Sequence, residues 1–110
     1  MGLSKTEEFS VKDNRIAAYA KAFSHPARVA ILQFLIKKQG CICGDIVDEI
    51  PLSQSTVSQH LKELKAAGLI KGEIEGTKIC YCIDENEWNK AKAYMDELFK
   101  AYVPVKDNCC

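Results

Sequence analysis

The chain has 110 residues, 47% of them hydrophobic, and its fifteen Lys and Arg residues balance fifteen Asp and Glu. That is enough apolar material for one small core, so a single domain is expected. Zero net charge excludes a protein that binds polyanions by bulk electrostatics alone, and no apolar run is long enough to cross a bilayer.

The N-terminal Met1–Glu8 segment lacks the apolar stretch of a signal peptide, so a cytoplasmic location is expected. From Lys12 to Phe23, the apolar residues Ile16, Tyr19, Ala20 and Phe23 recur at helical spacing. His25-Pro26 ends that helix, with His25 in a structural role at the boundary. A second helix from Ala27 to Lys37 is expected to bury Val29, Ile31, Leu32, Leu35 and Ile36. A short helix over Gly44–Ile50, with Ile46, Val47 and Ile50 inward, is broken by Pro51.

The next helix carries the most information. Ser53 has the chemistry of an N-cap, and Val57, Leu61 and Leu64 follow as a buried stripe. The opposite side and its flanks carry Gln54, Ser55, Thr56, Ser58, Gln59, His60 and Lys62. Short or forked donors and acceptors of this kind read base edges in the major groove and hold phosphates. Ala66-Ala67-Gly68 closes the helix, glycine serving as the left-handed terminator. Residues 69–74 and 78–83 then read as two strands joined by Glu75-Gly76-Thr77, a wing with Lys78 near its tip to reach a phosphate. Two helices, a tight turn and a wing make a winged helix-turn-helix: mainly α, with a small β-hairpin. Lys62, Lys65, Lys71 and Lys78 would supply local positive charge, with Glu73 and Glu75 set among them.

The last helix spans roughly Glu85 to Tyr102. Trp88, Ala91, Met95, Leu98 and Tyr102 recur at spacings of three and four, the seam of a helix that pairs with a second copy. A symmetric dimer would match its two reading helices to a palindromic duplex. Pro104 stops the helix, so residues 1–104 form the DNA-binding and dimerisation domain and 105–110 a flexible tail.

Six cysteines fall into three pairs: Cys41-x-Cys43, Cys80-x-Cys82 and Cys109-Cys110. Thiolates select soft or thiophilic ions; three suit trivalent arsenic or antimony, and four suit zinc or cadmium. Cys109 and Cys110 have no role in a core and could move to meet Cys41 or Cys43. Cys80 and Cys82 face one side of a strand, with packing and function both open. Paired cysteines could instead answer oxidants or reactive sulfur by disulfide or persulfide formation. A thiol oxidoreductase is disfavoured, because there is no Cys-x-x-Cys, phosphate loop or catalytic His–carboxylate arrangement. The protein is therefore read as a non-enzyme.

Three segments resemble the ArsR/SmtB family of small winged-helix repressors: Phe23-Ser24-His25-Pro26-Ala27-Arg28-Val29-Ala30-Ile31-Leu32, Cys43-Gly44-Asp45-Ile46, and Leu52 to Leu61. The likeness runs on through Leu64-Lys65-Ala66-Ala67-Gly68-Leu69-Ile70 and the wing, covering about residues 15 to 102. It implies a homodimer that represses an efflux or detoxification operon and leaves operator DNA when an inducer binds. Arsenite sensors of the family often carry Cys-x-Cys where the helix-turn-helix begins, and Cys41-Ile42-Cys43 lies one residue before that place. Others use adjacent cysteines near a terminus, as Cys109-Cys110 would be. No histidine follows His60, which leaves out the zinc site that other members build on the last helix. No intrinsic cofactor is expected, and arsenite or another thiophilic ion is the expected inducer.

Overall fold

A computed structural model describes residues 8–44, 50–74 and 79–105. Helix α1 (Val11–Ala22) starts at Ser10, whose hydroxyl accepts from the Asp13 N–H at 3.0 Å. Helix α2 (Pro26–Lys38) starts at His25, whose Nδ1 accepts from the Ala27 N–H at 3.0 Å. Proline fits at its first position because that N–H has no helical acceptor. A two-residue strand β1 (Ile42–Cys43) follows, then α3 (Gln54–Ala66), β2 (Ile70–Glu73), β3 (Cys80–Ile83) and α4 (Glu85–Ala101). The expected helix over Gly44–Ile50 and the turn at Glu75-Gly76-Thr77 lie largely outside the described residues, as do Lys78, Cys109 and Cys110.

Helix α3 is framed as its sequence requires. The Ser53 hydroxyl accepts from the Thr56 N–H at 3.3 Å. At the other end Gly68 takes a φ of 84°, and its N–H reaches the Lys65 carbonyl at 2.9 Å while the Leu69 N–H reaches that of Leu64 at 3.1 Å. That pair of bonds satisfies the last carbonyls and turns the chain directly into β2.

The three strands form an antiparallel sheet in the order β1-β3-β2. Across β2 and β3, Gly72 faces Tyr81 with a φ of 115°; a Cβ there would lie 2.3 Å from the Cys80 carbonyl oxygen. Only glycine permits so close a crossing. Strand β1 was not expected: two residues are too few to show an alternation.

The core gathers Tyr19 from α1, Ile31, Leu32 and Leu35 from α2, Val57, Leu61 and Leu64 from α3, Leu69 and Ile70 at β2, Tyr81 from β3 and Ala91 from α4. Three inward assignments differ from expectation. Ala20 is exposed and Ala22 is buried in its place, and Val29 and Ile36 are 36% and 49% exposed. A 13-residue helix rich in apolar side chains has more of them than one neighbouring surface can cover.

Helix α4 is capped by Asp84, which accepts from the Glu87 N–H at 3.2 Å. Its first half belongs to the chain's own core. Ala91 is 3% exposed, and Trp88 and Met95, two other residues of the expected pairing seam, pack against that core. Leu98 and Tyr102 are exposed, at 47% and 73%, with Phe99 between them at 71%. Helices α1 and α4 lie together, joined by Lys12–Glu97 at 3.0 Å and by Arg15–Glu87 at 3.2 Å. Glu87 also accepts from the Tyr19 hydroxyl. Burial, and then that hydrogen bond, push the Tyr19 phenol above its usual range.

Candidate functional site

Val57, Leu61 and Leu64 anchor α3 in the core, and each fully buried side chain of this size contributes roughly 1.5–3 kcal/mol. The rest of the helix is thereby held facing outward. Gln54, Ser55, Thr56, Gln59 and Lys62 are exposed and Ser58 is half-buried, so six of the seven expected contact residues on this helix share an accessible surface. At its N-terminus the Ser53 hydroxyl lies 2.9 Å from that of Thr56 and 3.3 Å from that of Ser55. Hydroxyls clustered beside free helical N–H groups, at the positive end of the helix dipole, suit a phosphate.

His60 is the exception. Expected among the contact residues, it is 8% exposed. Its ring lies 4.4 Å from that of His25, and its Nδ1 accepts from Arg28 Nε at 3.2 Å. Position 60 falls between Val57 and Leu64 on the inward stripe, so the helical period that buries those residues buries His60 as well. Burial, followed by the neighbouring His25 and Arg28, holds its imidazole below the usual 6.5. Arg28 also donates to the Lys21 carbonyl at 2.9 Å. The group ties the α1–α2 corner to the back of α3.

Lys65, expected in a local patch of positive charge, is exposed. Its ammonium donates to the Gly72 carbonyl at 2.7 Å, fixing the first wing strand to the end of α3. Lys71 is exposed on the wing.

Cysteine placement changes most. Cys43 is bonded to Cys80, and Cys41 and Cys82 are free thiols. The β1–β3 register pairs Ile42 with Tyr81 and Cys43 with Cys80. Tyr81 is buried, and Ile42, Ile79 and Ile83 pack against the core. By strand alternation the cysteines take the outer face, so Cys80 and Cys82 are not core residues. One further step of the register sets Cys41 opposite Cys82. The neighbouring Cys41 thiol, then burial, raises the Cys82 thiol above its ordinary value. Cys43 is thus not free to pair with a metal alongside the tail. Among the described residues, no three His, Cys, Asp or Glu side chains are grouped to hold a metal ion. Matching Cys-x-Cys patterns in two segments were the signal of a shared strand pair.

Comparisons with known proteins agree with the fold. A helix-turn-helix domain family model matches residues 23–73. An uncharacterised HTH-type transcriptional regulator of Methanocaldococcus jannaschii is 38% identical over 88 residues, covering 79% of this chain and 98% of that one. The HTH-type transcriptional repressor SmtB of Mycobacterium tuberculosis is 43% identical over 61 residues, 56% of this chain and 44% of that one. In fold, the crystal structure of the ArsR family transcriptional regulator RHA00566 superposes with a TM-score of 0.65 at 17% identity, over 83% of this chain and 96% of that one. With its winged helix-turn-helix fold, the chain belongs to the ArsR/SmtB family of DNA-binding helix-turn-helix transcriptional regulators.

Proposed function

We propose that the protein is a homodimeric, cytoplasmic repressor that binds operator DNA through α3 and releases it when cysteine thiolates take up a thiophilic ion, with arsenite as the inducer. The observation that carries the DNA reading is the division of α3 into a buried apolar stripe and an exposed face of Gln54, Ser55, Thr56, Gln59 and Lys62. The SmtB relative is a repressor by name, and repression is carried over from it. The dimer is supported by apolar side chains left uncovered where α1 begins and α4 ends: Phe9, Val11, Leu98, Phe99 and Tyr102. A second copy of this chain would cover them. Cys41, with Cys109 and Cys110 from the tail, supplies the three sulfurs that trivalent arsenic takes.

Titrating the reduced protein on its operator with arsenite, cadmium and zinc tests this. Release at about one arsenite per site is the expected result. Release by none of the three, with DNA binding intact, overturns the ion reading and leaves the DNA reading standing. The Cys43–Cys80 bond favours a second reading, in which oxidants or reactive sulfur act through disulfides. Release by an oxidised sulfur donor without bound metal would establish it.

A further inference from the structure

We propose that Cys41 and Cys82 are a second oxidisable rung beside the Cys43–Cys80 disulfide, and that the site reacts with small disulfides carrying both amino and carboxylate groups. The proposal deepens the sulfur-responsive reading above and rests on the DNA-binding assignment only for its effect on operator affinity.

The Gly44 N–H bonds to the Ile79 carbonyl at 2.8 Å, which makes that rung a hydrogen-bonded one. The rungs of an antiparallel pair alternate, so Cys43–Cys80, with Cα atoms 4.0 Å apart, and Cys41–Cys82 are both of the other kind, in which side chains come closest. One of these two equivalent rungs already holds a disulfide, and the other sets two free thiols opposite each other. Neither thiol is in the core: Cys41 is exposed and Cys82 half-exposed.

A groove of about 430 Å³ opens beside the free pair, lined in part by Leu35, Trp88, Cys41 and Cys82. Lys71 and Glu85 also line it, one charge of each sign. An amino-acid-type disulfide presents the complementary pair of charges with an apolar stem. Cys41 is the attacking group, because it is the more exposed and because the Cys82 thiol, raised above its ordinary value, gives up its proton less readily. The Cys41 thiolate attacks one sulfur of the small disulfide, and the other sulfur leaves as a thiolate that takes up a proton. Cys82 then loses its proton, attacks the Cys41 sulfur and expels the second small thiol. Two protein thiols are oxidised to one disulfide, and one small disulfide is reduced to two thiols.

Strand β1 ends the connection from α2 and begins the chain that leads to α3, while β3 completes the wing. A second staple between them constrains the approach to the reading helix relative to the wing. Operator affinity falls on its formation, by on the order of tenfold, within the roughly 5- to 150-fold range of allosteric coupling.

The test treats the full-length protein with glutathione disulfide, blocks the remaining thiols by alkylation and maps linked peptides by mass spectrometry, alongside operator binding. The expected result is a Cys41–Cys82 linkage next to an intact Cys43–Cys80 bond, with weakened operator binding. In Cys82→Ser, glutathione should remain attached to Cys41. A lasting Cys41 adduct in the wild type, a Cys41 link to Cys109 or Cys110, or unreacted thiols would overturn the site. Formation of the linkage with unchanged operator affinity would overturn its coupling to DNA. Formation of the linkage in a protein that binds no duplex in either state would instead contradict the DNA-binding reading.

Discussion

The rings of His25 and His60 lie 4.4 Å apart, joining the cap of α2 to the inner face of α3. Arg28 completes the contact through His60 Nδ1, and Glu63 stands on the same helix as a partly compensating charge. The orientation of the reading helix therefore depends on a neutral imidazole packed beside two basic groups.

A pH dependence of stability follows. His60 sits below its ordinary 6.5 in the folded chain, so on acidification the unfolded chain takes up this proton first. Its contribution is complete above that value and is lost as the pH falls below it. Urea midpoints measured at about pH 7.5 and about pH 5.5 should differ in that direction, and His60→Gln should shrink the difference. An equal difference in the variant would remove His60 as its source.

Gln59→Ala and Ser55→Ala each remove a group from the exposed face of α3 without touching the core. Loss of a bidentate base contact is worth about 1–3 kcal/mol, so specific operator binding should weaken by roughly tenfold in Gln59→Ala, and by less in Ser55→Ala, which removes a single hydroxyl. Thermal stability and oligomeric state should stay at wild-type values. Full retained affinity in both would place the contact surface elsewhere.

Leu64→Ala provides the contrast, since this side chain is fully buried. It should lower unfolding free energy by about 2–5 kcal/mol, read by urea denaturation, through lost burial and the cavity left behind.

Gly72→Ala puts a Cβ 2.3 Å from the Cys80 carbonyl oxygen and forces β2 away from β3. The Lys65–Gly72 bond shifts with it. Operator affinity and thermal stability should both drop, the wing being pulled from its place beside α3. Wild-type values of both would mean the strands separate without consequence.

Phe99→Glu combined with Tyr102→Glu charges the exposed end of α4. A monomer by light scattering is expected, with operator affinity down by about two orders of magnitude as the two-headed contact is lost. A dimer that persists would move the interface to another surface.

Much of this was legible in the sequence because it is local. Ser53 as a cap, Gly68 as a terminator and the Val57–Leu61–Leu64 stripe are set by spacing and backbone chemistry, and the structure has each of them. His60 was misplaced because its polarity outweighed its position, although its spacing from Val57 and Leu64 put it inside. Lys65 was legible as local positive charge, but its bond to the Gly72 carbonyl, brought close by the wing's return, was not. The cysteines were least legible. Their pairing depends on β1, a strand of two residues whose partner lies 37 residues downstream of Cys43. The matching Cys-x-Cys spacings hint at a shared strand pair, but a non-local register is not fixed by either segment alone.

The central claim is that the exposed face of α3 reads duplex sequence, and selection from a randomised duplex pool tests it most directly. The reduced wild-type protein should enrich a palindrome whose half-sites lie about one helical turn, roughly 10 base pairs, apart, and Gln59→Ala should lose that enrichment. Binding that enriches no sequence and varies only with salt would contradict the account.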